Sequence, residues 1–213
     1  MPPSDDFETS RKVRLLHAVN RALSRIYHRV EVEGVVRVPR AGPAIIISNH
    51  ISGLDPLLVQ SVVNRPIVWM MAKEYFEIGA LRWLWDAIRI IPVSRDGKDS
   101  SALRSALRTL EAGRVLGIFP EGKIETTRSL LPLETGATMI ALRSRAPVIP
   151  VYQTGTTFGQ SMVGAVLIPQ QVRLRFGPAI ELASRYGKTR DMDAPTQELF
   201  DAMQRLSPEA QVR

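Results

Sequence analysis

The sequence predicts a single-domain α/β fold: a mixed, mostly parallel sheet covered by helices, preceded by an N-terminal amphipathic helix. Two observations carry this expectation. Short apolar runs of strand length recur between segments with helical spacing, and strands apolar on both faces belong in a sheet covered on both sides. The chain of 213 residues also has the size of one domain able to bury a proper core, and no internal repeat or linker divides it.

Taken in order, residues 1–8 are polar and acidic and read as disordered. From Thr9 to Val30 the apolar positions Val13, Leu16, Val19, Leu23, Ile26, Tyr27 and Val30 recur at three- and four-residue spacing, which predicts an amphipathic helix. That helix carries Arg11, Lys12, Arg14, Arg21, Arg25 and Arg29 and no acid, so residues 1–30 form a basic segment set apart from the domain at 31–213. It reads either as a helix packed on the protein's own core or as one lying on an anionic membrane surface.

Glu31–Val38 alternates like a strand, and 39–43 is a Pro- and Gly-containing turn. Ala44–Ile47 is a buried strand from whose end Ser48, Asn49 and His50 emerge. Asp55 reads as an N-cap and Pro56 as the first residue of a helix bearing Leu57, Leu58, Val59, Val62 and Val63. Further on, Pro66–Met71 predicts a strand, Lys73–Ile88 a helix, and Arg89–Val93 a strand ending at Ser94 and Arg95. Ser100–Glu111 is a helix stopped by Gly113, and Val115–Phe119 a strand broken at Pro120-Glu121-Gly122. A helix over Thr135–Arg145 and a strand over Pro147–Val151 follow. Strand candidates at Val163–Ile168 and Gln171–Phe176 precede a helix over Ala194–Leu206.

In such sheets binding sites form at the carboxyl ends of the strands. Three ends carry polar sets: Asn49 with His50, Ser94 with Arg95, and Glu121 with Gly122 and Lys123. His50 and Asp55 share one strand-to-helix turn, where a carboxylate can fix an imidazole tautomer and free the other nitrogen to take a proton from a hydroxyl. The spacing alone identifies nothing, because Asp55 also reads as a plain helix cap and His50 as a loop histidine.

Composition narrows the chemistry. Cysteine is absent, which excludes disulfides, thiolate metal sites and a cysteine nucleophile. His17, His28 and His50 show no zinc-like spacing, and neither metal nor cofactor is expected. The net charge is +7, and 23 of the 28 basic residues are arginine, so phosphate-bearing partners suit the surface. Nucleic acid is not expected, since no recognisable motif accompanies the charge. No run approaches the ~18 apolar residues of a membrane span, and the polar start carries no signal-peptide pattern.

The chain resembles the glycerolipid acyltransferase family typified by 1-acylglycerol-3-phosphate acyltransferases. The N-H-x4-D motif of that family is matched by Asn49, His50 and Asp55, and its apolar strand ending in Arg by Ile91–Arg95. Its F-P-E-G-T-R-S motif is half matched by Phe119, Pro120, Glu121 and Gly122, and its V-P-x-x-P-V strand by Ala146–Val151. These occur in order over roughly residues 31–180. The resemblance implies that His50, oriented by Asp55, acts as general base on an acceptor hydroxyl, which attacks an acyl-CoA or acyl-carrier-protein thioester without an acyl-enzyme. It implies a substrate site at Asn49, Ser94, Arg95, Phe119, Pro120, Glu121, Gly122, Lys123 and Arg128, with oxyanion donors near the Gly122 turn. It also implies a lysolipid acceptor and a place on the cytoplasmic face of the cell membrane, peripheral or monotopic.

Two departures bear on the acceptor. Lys123, Ile124 and Glu125 stand where the family has Thr-Arg-Ser, and a family-like P-F-K-x-G-A becomes Pro132-Leu133-Glu134-Thr135-Gly136-Ala137. Two cationic positions have become Ile124 and Glu134, so either Lys123, Arg128 and Arg95 bind a phosphate or the acceptor is not a phosphomonoester. A catalytically silent lipid-surface domain and an acyl-thioester hydrolase remain alternative readings.

Overall fold

A computed structural model describes residues 10–76, 82–94, 99–124, 129–157, 162–187 and 189–208. Its central strand β2 (Ala44–Ser48) is buried at every position. The reason is its place in a seven-stranded sheet of order β1-β7-β6-β2-β5-β3-β4, where it lies parallel to β5 (Val115–Ile118) on one side and β6 (Val148–Thr154) on the other. Its two faces feed separate core layers. Ile45 and Ile47 pack with Leu110, Ile140 and Leu199 from the helices of one side, and Ile46 with Leu58, Trp69 and Trp85 on the other. All three isoleucines are fully buried, each worth about 1.5–3 kcal/mol.

β3 (Ile67–Ala72) and β4 (Ile91–Val93) extend the parallel half beyond β5. β7 (Arg173–Phe176) runs antiparallel to β6, and β1 (Glu31–Glu33) parallel to β7. Five strands therefore end at one edge of the sheet, and β7 and β1 begin there. The helices between them are α2 (Asp55–Val62), α3 (Lys73–Phe76), α4 (Arg82–Ala87), α5 (Ser100–Glu111), α6 (Thr135–Ser144), α7 (Met162–Leu167), α8 (Leu182–Tyr186) and α9 (Asp193–Gln204).

The mixed, mostly parallel sheet is as expected, and α5 has its expected bounds. Several elements differ. The strand expected over Val163–Ile168 is helix α7, because a short apolar run has no period by which helix and strand can be told apart. β1 ends at Glu33, before Gly34 turns the chain at φ +90°. The helix expected over Lys73–Ile88 is seen as α3 and α4, with residues 77–81 outside the described set. The disorder expected for residues 1–8 also lies outside it.

The N-terminal helix α1 (Arg11–Ile26) packs on α2, but mostly by its polar side. His17 Nε2 lies 3.0 Å from Gln60 O, Asn20 Nδ2 donates to Leu57 O at 2.8 Å, and Arg21 bonds Asn64 at 3.1 Å. Ser24 and, just past the helix, His28 are also buried. Apolar Leu15 (65% exposed), Val19 (58%) and Ile26 (80%) consequently point outward. The two contacts that lie within α2 pair His17 with Gln60 and Asn20 with Leu57, so residue numbers rise on α1 as they fall on α2 and the helices are antiparallel. The C-terminal end of α1 thus stands at the carboxyl edge of the sheet, where the Tyr27 hydroxyl donates to Leu167 O at 2.7 Å.

Burial lowers the pKa of both His17 and His28 below the ordinary 6.5, and neither His28 ring nitrogen has a partner among the described residues. The folded state holds these rings neutral while the unfolded chain protonates them, so their stabilising effect is full above pH 6.5 and is lost as pH falls below it. Thermal unfolding followed from pH 7.5 to 5 should show that loss. His28→Leu should lose less over the same window, carboxyl titrations being common to both proteins, and an equal loss would exclude His28 as a source.

Candidate active site

Where β2 ends, the chain must turn into α2, and three neighbours fix the turn. From β6, Gln153 clamps Asn49: its N–H donates to Asn49 Oδ1 at 2.8 Å and its side-chain amide to Asn49 O at 2.8 Å, while Asn49 Nδ2 donates to Gln153 O at 3.1 Å. From the segment after β5, buried Glu121 accepts the His50 N–H on Oε1 at 2.9 Å and the Leu131 N–H on Oε2 at 2.9 Å. From the start of α2, Asp55 reaches back into the turn.

Asp55 is not the cap that Asp-Pro suggests. It is the first residue of α2, Leu54 holds the cap position, and no side chain caps the helix. Instead Asp55 Oδ2 accepts the N–H groups of Ile51 (2.6 Å) and Ser52 (2.8 Å) and lies 3.0 Å from His50 Nδ1. The carboxylate is fully buried and its Oδ1 has no partner among the described residues. Burial pushes its pKa up, against the pull of His50 and the two backbone donors. Because the carboxylate faces Nδ1, the geometry assigns the neutral-ring proton to Nδ1 and leaves Nε2 as the acceptor. The His50 side chain is 19% exposed, so Nε2 is the edge offered to a reactant.

The imidazole face rests on Phe119, with ring centroids 4.1 Å apart and planes 18° from parallel. Phe119 in turn stacks on Trp69 of β3 at 4.9 Å and 11°. Beyond Phe119, Pro120 O accepts the Glu134 N–H at 2.7 Å, and the Gly122 N–H closes back on Phe119 O at 3.2 Å. Gly122 sits at φ +70°, and Glu134 Cγ lies 3.5 Å from the place a Cβ there would occupy. The two segments that carry the altered cationic positions therefore meet. The Gly122 N–H, already engaged in this turn, is not a free oxyanion donor.

Asn49, His50, Asp55, Phe119, Pro120, Glu121, Gly122 and Lys123 thus gather at one end of the sheet. Ser94 follows β4, three strands from β2, and its N–H donates to Asp99 at 2.9 Å. Arg95 and Arg128 lie outside the described residues. Sequence reading missed Gln153, since that strand was expected to stop at Val151. It also missed Trp69, whose signal was Gly117 in the middle of a strand, a mark of close approach. Among the described residues no group of three or more His, Cys, Asp or Glu could hold a metal ion. An open groove of about 320 Å³ lined by Gly34, Val35, Arg37, Phe176, Gly177 and Pro178 lies past the ends of β1 and β7, away from His50.

A family model described as acyltransferase matches residues 29–154. Over 127 residues the chain is 32% identical to human 1-acyl-sn-glycerol-3-phosphate acyltransferase alpha, covering 58% of this chain and 44% of that protein. Over 134 residues it is 27% identical to the 1-acyl-sn-glycerol-3-phosphate acyltransferase of Bacillus subtilis, covering 62% of this chain and 66% of that one. The matched region is therefore less than half the length of the human relative. In fold the chain is similar to the crystal structure of the 1-acyl-sn-glycerophosphate (LPA) acyltransferase PlsC from Thermotoga maritima. That likeness has a TM-score of 0.75 at 22% identity and covers 99% of this chain and 86% of that one.

Proposed function

The chain belongs to the acyltransferase family, and on that premise we propose that it moves a fatty acyl group from a thioester donor to a lysolipid hydroxyl, with His50 as general base. The observation that supports this reading most is the His50–Asp55 pair, with Nδ1 held by a buried carboxylate and Nε2 on the open side. His50 Nε2 takes the acceptor's hydroxyl proton, and the oxygen attacks the thioester carbonyl of acyl-CoA or acyl-carrier protein. The tetrahedral intermediate expels the thiolate, which recovers the proton from the imidazolium. Asp55 stabilises that transient cation and holds its orientation. The similarity to 1-acyl-sn-glycerol-3-phosphate acyltransferases supports a lysophospholipid acceptor.

His50→Ala should lower transfer by at least ~10²–10⁴-fold, the usual size of a general-base contribution, without unfolding the protein. Asp55→Asn should be comparably severe, because an amide cannot stabilise the imidazolium. Acyl-CoA turnover with a lysolipid panel measures both. Retained transfer in His50→Ala would overturn the reading, and CoA release without an acceptor would make the protein a hydrolase.

The acceptor headgroup falls to the Gly122 turn and Glu134, where an exposed carboxylate stands against an exposed glycine. A phosphomonoester would meet this acid, and each charge-assisted bond not made there forfeits about 1.5–3 kcal/mol. Ile124→Arg/Glu134→Lys should therefore shift kcat/KM toward lysophosphatidic acid relative to zwitterionic and neutral lysolipids. A wild type that already prefers lysophosphatidic acid, with no gain in the double variant, would show that other cations bind the phosphate.

The same reading places the protein peripherally on the anionic cytoplasmic leaflet. Among the described residues no helix is long and apolar enough to cross a membrane. The outward apolar stripe of α1 is instead flanked by Arg11, Lys12, Arg14 and Arg25, all exposed, each basic residue contributing ~1 kcal/mol near an anionic surface. Leu15→Ser/Val19→Ser/Ile26→Ser leaves the α2 seam intact and should reduce co-sedimentation with anionic vesicles at least tenfold. Unchanged sedimentation would locate the contact elsewhere.

A further inference from the structure

We propose that Trp69, seated in the slot left by Gly117, is a positioning residue for His50 and acts through Phe119. The inference rests on His50 being the base and concerns what aims it.

The strand register sets Trp69 of β3 beside Gly117 of β5. A Cβ on Gly117 would stand 2.3 Å from Trp69 Cε3 and 2.5 Å from Cδ2, a separation no side chain tolerates, so the indole lies flat on bare backbone. Phe119 follows Gly117 by two residues, one past the end of β5, and packs on the same side of the sheet as Trp69. The register thus produces a ladder of three nearly parallel rings, Trp69, Phe119 and His50. Its inner rung is 3% exposed and packed into the core; its outer rung is the reactive ring.

The hydrogen bond from Nδ1 to Asp55 holds the imidazole by one edge and leaves it free to swing about that bond. The Glu121 contact fixes the backbone of His50, not its ring. A flat support against the ring face removes the swing and fixes where Nε2 points, which matters because a misplacement of ~1 Å at a reacting group costs ~10²-fold. Phe119 alone is only half-buried and needs a rigid backing, which Trp69 supplies. The Trp69 indole N–H is buried without a partner among the described residues, a penalty that a smaller apolar residue would avoid. The slot uses the breadth of the ring.

The test separates aim from packing. Trp69→Leu should lower kcat 10- to 100-fold with KM for donor and acceptor within twofold, whereas Trp69→Phe should retain kcat within threefold. Trp69→Leu/Gly117→Ala refills the slot with aliphatic volume, and should regain Tm without regaining kcat. Should Trp69→Leu fail to fold, Trp69→Met, which fills the slot with a flexible chain, should show the same loss of kcat while Trp69→Tyr, which keeps a flat ring, retains it. Recovery of kcat together with Tm in the refilled slot, or a Trp69→Met protein as active as Trp69→Tyr, would overturn the proposal. His50→Ala in the same assay distinguishes the two levels: an active His50→Ala removes the base itself, while an inactive one beside a normal Trp69→Leu removes only the ladder.

Discussion

A single carboxylate oxygen, Asp55 Oδ2, organises the end of the central strand. Taking a carboxylate out of water costs several kcal/mol unless donors replace the water. Here three donors do so, two from the backbone of the turn and one from the imidazole. The turn at residues 50–52 can make those contacts only by folding over the start of α2, where the positive end of the helix dipole also favours the charge. The position of His50 is therefore a consequence of satisfying Asp55. The same enclosure that raises the carboxyl's pKa strengthens its attraction for a cation on the adjoining ring, since little water screens the pair.

Sheet order supplies the remaining constraints. With β2 between β5 and β6, the turn has a brace on each flank: Gln153 holds Asn49 from one side, Glu121 and Phe119 hold His50 from the other. Residues about 70 and 104 positions apart meet because parallel strands end in register. Glu121, which the resemblance assigns to substrate, has both oxygens bonded to backbone N–H groups. It ties the His50 turn to the segment at Leu131 that leads into Glu134, so the two are mechanically joined.

Much of this arrangement was legible in the sequence, and the failures have definite causes. Ala44–Ile47 was readable as a buried strand because parallel strands covered on both faces have no polar alternation to obscure them. Ser100–Glu111 was readable because Leu103, Leu107 and Leu110 share one face and Gly113 stops it; the structure adds the cap, Asp99 accepting the N–H groups of Ser101 and Ala102. Asp55 read two ways, as a helix cap and as the partner of His50, because Asp before Pro is also the chemistry of a helix start; the turn's geometry decides for the second. Gln153 and Trp69 act across strands, a relation that spacing along one chain does not encode. In α1 the period revealed two faces, but which face is buried depends on the partner: α2 offers Gln60 and Leu57 O, Asn64 follows just beyond it, and the polar face is the one received.

That inversion connects the helix to the site. Exposing a fatty chain to water costs about 0.8 kcal/mol per CH₂, so a chain of ordinary length costs on the order of 10 kcal/mol to withdraw fully from a bilayer. An acyltransferase whose substrates are amphiphiles gains by keeping its base near the lipid. The C-terminal end of α1, exposed Ile26, and the exposed pair Leu167 and Ile168 tied to it through Tyr27 all stand at the carboxyl edge of the sheet. His50 opens at that same edge. On the proposed reading, the stripe that seats the protein on the leaflet also brings the headgroup layer to Nε2, so that the acceptor hydroxyl reaches the base while its chain stays in hydrocarbon.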